Sequence, residues 1–99
     1  VFVSGQGPLD PATGTIVGVT IEEQVRGTLE NVKAILEAGG ATMADVVKAT
    51  VHLADIGDFP RFNAVYAEYF PDPKPTRTTV QSVLHDIKVE IDVIAYVGE

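Results

Sequence analysis

Two side chains, Arg77 and Glu90, have the chemistry to bind and transform a small molecule. Arg77 follows a loop that contains Pro71, Pro73 and Pro75, and proline stiffens such a loop because it fixes φ. Its planar guanidinium can donate two parallel hydrogen bonds to a carboxylate. Glu90 lies 13 residues later in an apolar β-type run, where an unpartnered carboxylate is costly. The pair predicts a small-molecule site.

Arg77 has a structural alternative, which is a buried ion pair with Asp92 or with Glu90 itself. The histidines, His52 and His85, have no metal-ligand spacing with another His or Asp, so we predict that both are surface residues. The sequence also has no phosphate-cradling loop and no Ser-His-Asp pattern. These observations leave Arg77 and Glu90 as the main candidates.

The composition limits the classes of function. The 99 residues contain no cysteine, which excludes disulfides, thiolate catalysis and zinc-thiolate sites. The net charge of −7 makes nucleic acid an unfavourable partner. No apolar run approaches the roughly 18 residues of a membrane span, and no basic leader precedes an apolar segment. We therefore expect one domain over residues 1–99 in the cytoplasm, with no membrane partner. Because Val1 falls inside a predicted strand, we also expect residues upstream.

Two amphipathic helices are predicted. Thr20 opens the first, Glu23 completes a capping box, and Gly39 and Gly40 end it. Asp58 opens the second, which carries aromatic residues at helical spacing. We interpret both apolar stripes as core packing. The second helix also includes Asn63, an unfavourable helix-interior residue that we interpret as a polar contact or a solvated side chain.

Strands are predicted at residues 1–3, 15–19, 47–53, 76–83 and 88–97. In 47–53, alternation places Val47, Ala49, Val51 and Leu53 toward the core. The order β-(β)-α-β-α-β-β predicts a two-layer α+β domain with two helices on one face of the sheet. The uncovered face would carry Arg77, Glu90 or their neighbours among apolar residues, which favours self-association.

Several segments together resemble the Rid family, the reactive intermediate (enamine/imine) deaminases, also called the YjgF family. The segments are Ser4-Gly5-Gln6 and residues 31–40, 63–66, 69–70, 74–80 and 89–95. The resemblance covers essentially the whole chain. Its most specific part is the combination of the proline-arginine strand with the Val89-Glu90-Ile91 strand.

The resemblance implies a chorismate-mutase-like fold and a homotrimer in which the sheets line a central barrel. It implies hydrolysis of 2-aminoacrylate and related enamines or imines to 2-keto acids and ammonia, without metal or cofactor. Arg77 would hold the substrate carboxylate, and Glu90 would position or activate water. Thr79 would contact the ligand mainly through its backbone. The matched pocket positions also include Ser4, Gly5 and Asn63.

The chain departs from the family pattern in three places. Many members have cysteine where this chain has Thr79. The connection at residues 82–87 is about two residues shorter than in many relatives, which reshapes one rim of the implied pocket. The family's first strand, with its pocket tyrosine, has no counterpart in this sequence.

Two other functions remain open at this point. The first is a non-catalytic module of the same fold that binds small carboxylates or a partner protein. The second is an endoribonuclease, which the net charge of −7 disfavours.

The expected distance between Arg77 and Glu90 favours a site between subunits. In a simple hairpin of residues 76–83 and 88–97, Arg77 would lie opposite Ile94 and Glu90 opposite Gln81. The two side chains would share a face yet be roughly 13 Å apart along the sheet. The family layout instead places the Glu90 strand centrally and the Arg77 strand nearer an edge. Either arrangement requires a second subunit to complete the site.

Overall fold

The computed structural model describes residues 1–98. Four strands and two α-helices follow the order β-α-β-α-β-β: β1 (Phe2–Gln6), α1 (Ile21–Ala38), β2 (Val46–Leu53), α2 (Phe59–Tyr69), β3 (Thr76–Gln81) and β4 (Val89–Ala95). Short 3₁₀ turns at Met43–Asp45 and Ile56–Asp58 lead into β2 and α2. This order confirms the predicted α+β class.

The sheet is mixed, with the strand order β1-β4-β2-β3. β2 pairs parallel to β3 and antiparallel to β4, and β1 pairs antiparallel to β4. β4 is therefore internal and β3 lies at an edge, as the family layout implies. The simple hairpin of the last two strands is wrong, because β2 lies between them.

One face of the sheet is buried under the helices. Along β4, Val89, Ile91, Val93 and Ala95 are at most 3% exposed, whereas the alternate residues are half-buried. α1 packs against β4 and β1. The buried side chains of both helices and of the inward strand positions form one core. The other face has no covering layer within residues 1–98.

Two predictions about strands are wrong in detail. Residues 15–19 form no strand, and only an isolated bridge joins Leu9 to Ile16. Val47 does not face the core. The register shifts between Val46 and Lys48, so Val47 is the extra residue of a β-bulge and is 49% exposed.

The N-terminus of α1 has the predicted capping box. Thr20 Oγ1 accepts a hydrogen bond from Glu23 N–H, and Glu23 Oε1 accepts from Val19 N–H and Thr20 N–H at 2.9 and 3.1 Å. These backbone donors hold the pKa of the Glu23 carboxyl below its usual value. At the other end, Gly40 adopts φ +85°, which suits glycine.

No helix among the described residues is both long and apolar enough to cross a membrane.

Glu23→Gln should make stability less dependent on pH. A carboxyl with a lowered folded-state pKa stabilises the fold above its unfolded pKa of about 4.3, and this contribution is lost as the pH falls. The wild type should exceed Glu23→Gln in free energy of unfolding at pH 7, and the difference should shrink toward pH 3. Urea denaturation between pH 3 and 7 measures this, with Glu37→Gln on the last turn of α1 as control. A difference that is constant with pH would contradict the capping contact.

Candidate functional site

Arg77 lies on the helix-covered side of the edge strand β3. Its register partner on β2 is Ala49, which is fully buried under the helices, and directly paired residues share a face. The guanidinium carbon lies 4.7 Å from the ring centroid of Tyr66, 5.2 Å from Phe59 and 5.6 Å from Phe62. The helical spacing of these α2 aromatics therefore places three rings around one cation.

Asn63 fixes the guanidinium within this aromatic group. Arg77 Nη1 donates to Asn63 Oδ1 at 2.7 Å. This contact explains why asparagine occurs in the interior of α2, where its helix propensity is poor. The structural alternative for Arg77 is wrong. No ion pair of Arg77 is found among the described residues, and Asp92 and Glu90 point to the other face of the sheet.

Glu90 lies on the uncovered face of β4, directly across from His52 of β2. Its carboxyl reaches over β1 toward Gly5, where an added Cβ would lie 2.5 Å from Glu90 Oε2. A Cβ that close does not occur, so the present position of the carboxyl requires glycine. Gly5 is therefore a close-approach position for the Glu90 carboxyl.

Ser4 and Gly5 belong to a bulge in β1. Val3 pairs with Val93 and Gln6 with Ile91. Two β1 residues thus stand against a single residue of β4. Bulges re-aim the local backbone and are frequent beside functional sites. The side chain of Ser4 is exposed.

The predicted site residues therefore form two groups rather than one. The Arg77 half-site consists of Arg77, Asn63 and the α2 rings. The Glu90 half-site consists of Glu90, Gly5 and Ser4. The expectation that Arg77 and Glu90 share the uncovered face is wrong. β3 and β4 are two strand spacings apart and the register offsets the residues by three positions, so their Cα atoms are about 14 Å apart.

Three hydroxyl groups are buried without a hydrogen-bond partner among the described residues, and two of them belong to the region of Arg77: Tyr66 OH on α2 and Thr79 Oγ1 on β3. Thr79 pairs with Val51 and so shares the face of Arg77. Burial raises the pKa of the Tyr66 hydroxyl, and the nearby Arg77 guanidinium partly opposes this shift. Buried hydroxyls usually have partners, so this end of the Arg77 half-site has unused hydrogen-bonding capacity.

Sequence reasoning missed two features of these half-sites. The spacing of Phe59, Phe62 and Tyr66 predicts only core packing, and it suggests a cation site only when the position of Arg77 is known. His52 is half-buried rather than a plain surface residue, and its Nδ1 lies 2.8 Å from Ser82 Oγ. No sequence signal links these two residues, which are 30 positions apart. Within residues 1–98, no cluster of three His, Cys, Asp or Glu residues could hold a metal ion.

Comparison with known proteins assigns the chain to a family. The family model described as Endoribonuclease L-PSP (Ribonuc_L-PSP) matches residues 1–97. The chain belongs to this family, also known as the Rid or YjgF family. The resemblance stated from the sequence is thereby confirmed.

Individual Rid relatives support this assignment. A RutC family protein of Pyrococcus horikoshii is 50% identical over 97 residues, which are 96% of this chain and 77% of that protein. Reactive Intermediate Deaminase A, chloroplastic, of Arabidopsis thaliana is 44% identical over 97 residues, which are 96% of this chain and 52% of that protein. The crystal structure of Escherichia coli TdcF with bound serine has a TM-score of 0.88 and 41% identity, and the match covers 98% of this chain and 80% of that one. The chorismate-mutase-like fold expected from the sequence is thereby confirmed.

Gly5→Ala should displace the Glu90 carboxyl with little effect on the fold. The added Cβ meets the flexible end of Glu90, which can rotate away at a cost below about 1 kcal/mol. A crystal structure should show the carboxyl moved from residue 5, and urea denaturation should show near-wild-type stability. Gly7→Ala is the control, because its Cβ meets Ile87 instead. A carboxyl that stays in place would refute the close approach.

Proposed function

We propose that this chain hydrolyses reactive enamines and imines of the 2-aminoacrylate type to 2-keto acids and ammonia, at clefts between the subunits of a homotrimer. Within the Rid family, the Arabidopsis relative is named a reactive intermediate deaminase, which supports a deaminase role. The homotrimer, the 2-aminoacrylate-type substrate and the roles of individual residues are what the resemblance to the family implies, and the two half-sites support them.

The observation that best supports this proposal is the fixed position of the Arg77 guanidinium, which could bind the substrate carboxylate. Arginine has five N–H donors, and among the described residues one hydrogen bond, from Nη1 to Asn63 Oδ1, adds to the three ring contacts that fix the group. The remaining donors are available at the sheet edge for a planar carboxylate, which arginine can grip with two parallel bonds. The serine bound to TdcF also carries a carboxylate. The family resemblance implies that Thr79, two residues after Arg77 on β3, would add a backbone contact to the same substrate.

Glu90 is proposed to position the attacking water and to accept and return its proton. In imine hydrolysis, a water oxygen attacks the imine carbon and one water proton passes to a base, which gives a carbinolamine. That proton and the carbinolamine hydroxyl proton both end on nitrogen, and the C–N bond breaks as the C=O bond forms, so that ammonia leaves. A carboxylate can accept the first proton and return it to the leaving nitrogen. Gly5 and Ser4 would form the wall of this part of the pocket, because the carboxyl lies over Gly5.

The separation of the half-sites supports a site between subunits. One three-carbon substrate cannot reach Cα positions about 14 Å apart on opposite faces of one sheet. A neighbouring subunit can bring its Glu90 half-site to the β3 edge of the first. The uncovered face also exposes large side chains, with Phe2 at 81% and Val80 at 40%. Such apolar surface favours burial against another copy.

Two alternatives compete with this proposal. In a non-catalytic carboxylate-binding module, Arg77 would be needed and Glu90 would not. The family description names an endoribonuclease, yet the net charge of −7 opposes binding of a polyanion. The first experiment is therefore the release of ammonia and keto acid from an imine generated in situ, with RNA cleavage measured in parallel. Ligand binding without turnover would favour the module, and RNA cleavage alone would favour the nuclease.

Arg77→Lys should lower kcat/KM for the imine at least tenfold, about 1.4 kcal/mol, because an ammonium cannot reproduce the paired hydrogen bonds or the stacking on three rings. Steady-state release of keto acid measures the change. Arg26→Lys is the matched control, since Arg26 is exposed and pairs with Glu68 on the helix surface. Arg77→Lys activity within two- to threefold of the wild type would reject the carboxylate role.

Mixed oligomers should recover activity from inactive parents. Arg77→Ala and Glu90→Gln subunits are each expected to be inactive, because each lacks one half of every cleft. After refolding together, about a quarter of the clefts should combine an intact Arg77 with an intact Glu90 from a neighbour. Activity of the purified mixture against each parent measures this recovery. A mixture as inactive as the parents, or a fully active monomer by sedimentation, would rule out the intersubunit site.

A further inference from the structure

The Glu90 carboxyl has two different neighbours on the uncovered face. On the β1 side lies Gly5, whose missing side chain leaves space for Oε2. On the β2 side, His52 stands directly across from Glu90. Directly opposed residues of antiparallel strands have Cβ atoms about 4.5–5.5 Å apart. The imidazole therefore borders the space into which Glu90 could otherwise turn.

Ser82 restrains the imidazole. Its Oγ lies 2.8 Å from His52 Nδ1, just beyond the end of β3. The Ser82 backbone is itself fixed, because its N–H donates to Leu53 O at 2.9 Å. The ring is half-buried although it lies on the uncovered face. A hydrogen bond between the ring and this anchored residue thus holds the ring in one orientation beside Glu90.

We propose that His52, held by Ser82, is a positioning residue that keeps the Glu90 carboxyl over Gly5. The ring acts as a wall on the β2 side, so that the open position over Gly5 is the favoured one. Its contribution to turnover rests on the proposed function, in which Glu90 handles water and protons. The effect of His52 on the position of the Glu90 carboxyl rests only on the pairing of His52 with Glu90, the hydrogen bond to Ser82 and the space over Gly5.

Three variants test whether the His52 ring acts as a steric wall beside Glu90. His52→Ala removes it, His52→Phe keeps a flat ring of similar size, and Ser82→Ala releases the ring. In ligand-free crystal structures, Glu90 should leave Gly5 in His52→Ala and stay over it in His52→Phe. In the deaminase assay, His52→Ala should lower kcat about tenfold with KM within about twofold, because the Arg77 half-site is untouched. His52→Phe should recover most of kcat, and Ser82→Ala should fall between them.

Thr50→Ala is the matched control, because Thr50 is on the same strand and face but opposite Asp92. A Glu90 carboxyl that stays over Gly5 in both His52→Ala and Ser82→Ala would overturn the proposal. Equal loss of kcat in His52→Phe and His52→Ala would also overturn it, since a wall requires only the ring. If His52→Ala does not fold by circular dichroism, the position of Glu90 in Ser82→Ala decides. A wild type inactive on imines would reject the proposed function, while the crystal structures would still test the wall.

Discussion

The alternation of side chains along a pleated strand is the constraint on which the arrangement of this molecule depends. Arg77 pairs with buried Ala49, and Glu90 pairs with half-buried His52. Ala49 and His52 are three positions apart on β2 and so face opposite sides of the sheet, which decides which layer each paired side chain enters. The cation lies between sheet and helix, where aromatic rings and an amide can fix it. The carboxyl lies on the bare face, where only neighbouring strands can guide it.

The two half-sites use different means to fix their groups. Around Arg77, the rings of Phe59, Phe62 and Tyr66 and the Asn63 carbonyl oxygen all come from one helix. Around Glu90, the guidance comes from a bulge and a missing Cβ at Gly5. A fixed cation and a carboxyl with an open approach are what the proposed carboxylate binding and proton transfer would need.

Features set by neighbouring residues could be predicted from the sequence, whereas features set by the pairing of distant strands could not. Thr20 and Glu23 specify a helix start within four residues, so the capping box could be predicted. The faces of Arg77 and Glu90 could not, because they depend on β2 lying between β3 and β4. Val47 has an inward-facing pattern but is the extra residue of a bulge, which no periodicity reveals. Residues 15–19 have β propensity, but propensity does not supply a pairing partner.

Because of the strand order, the two half-sites also differ in how far apart their residues are in the sequence. β2, α2 and β3 form one continuous stretch, so the Arg77 half-site is built from a single parallel crossover unit. The Glu90 half-site instead joins β1 to β4, and Gly5 and Glu90 are 85 positions apart in the sequence, with Phe2 paired to Ile94. The entropic cost of closing a loop rises with its length, though slowly. The Glu90 half of the site therefore depends on a long-range strand pairing, whereas the Arg77 half needs only the central segment.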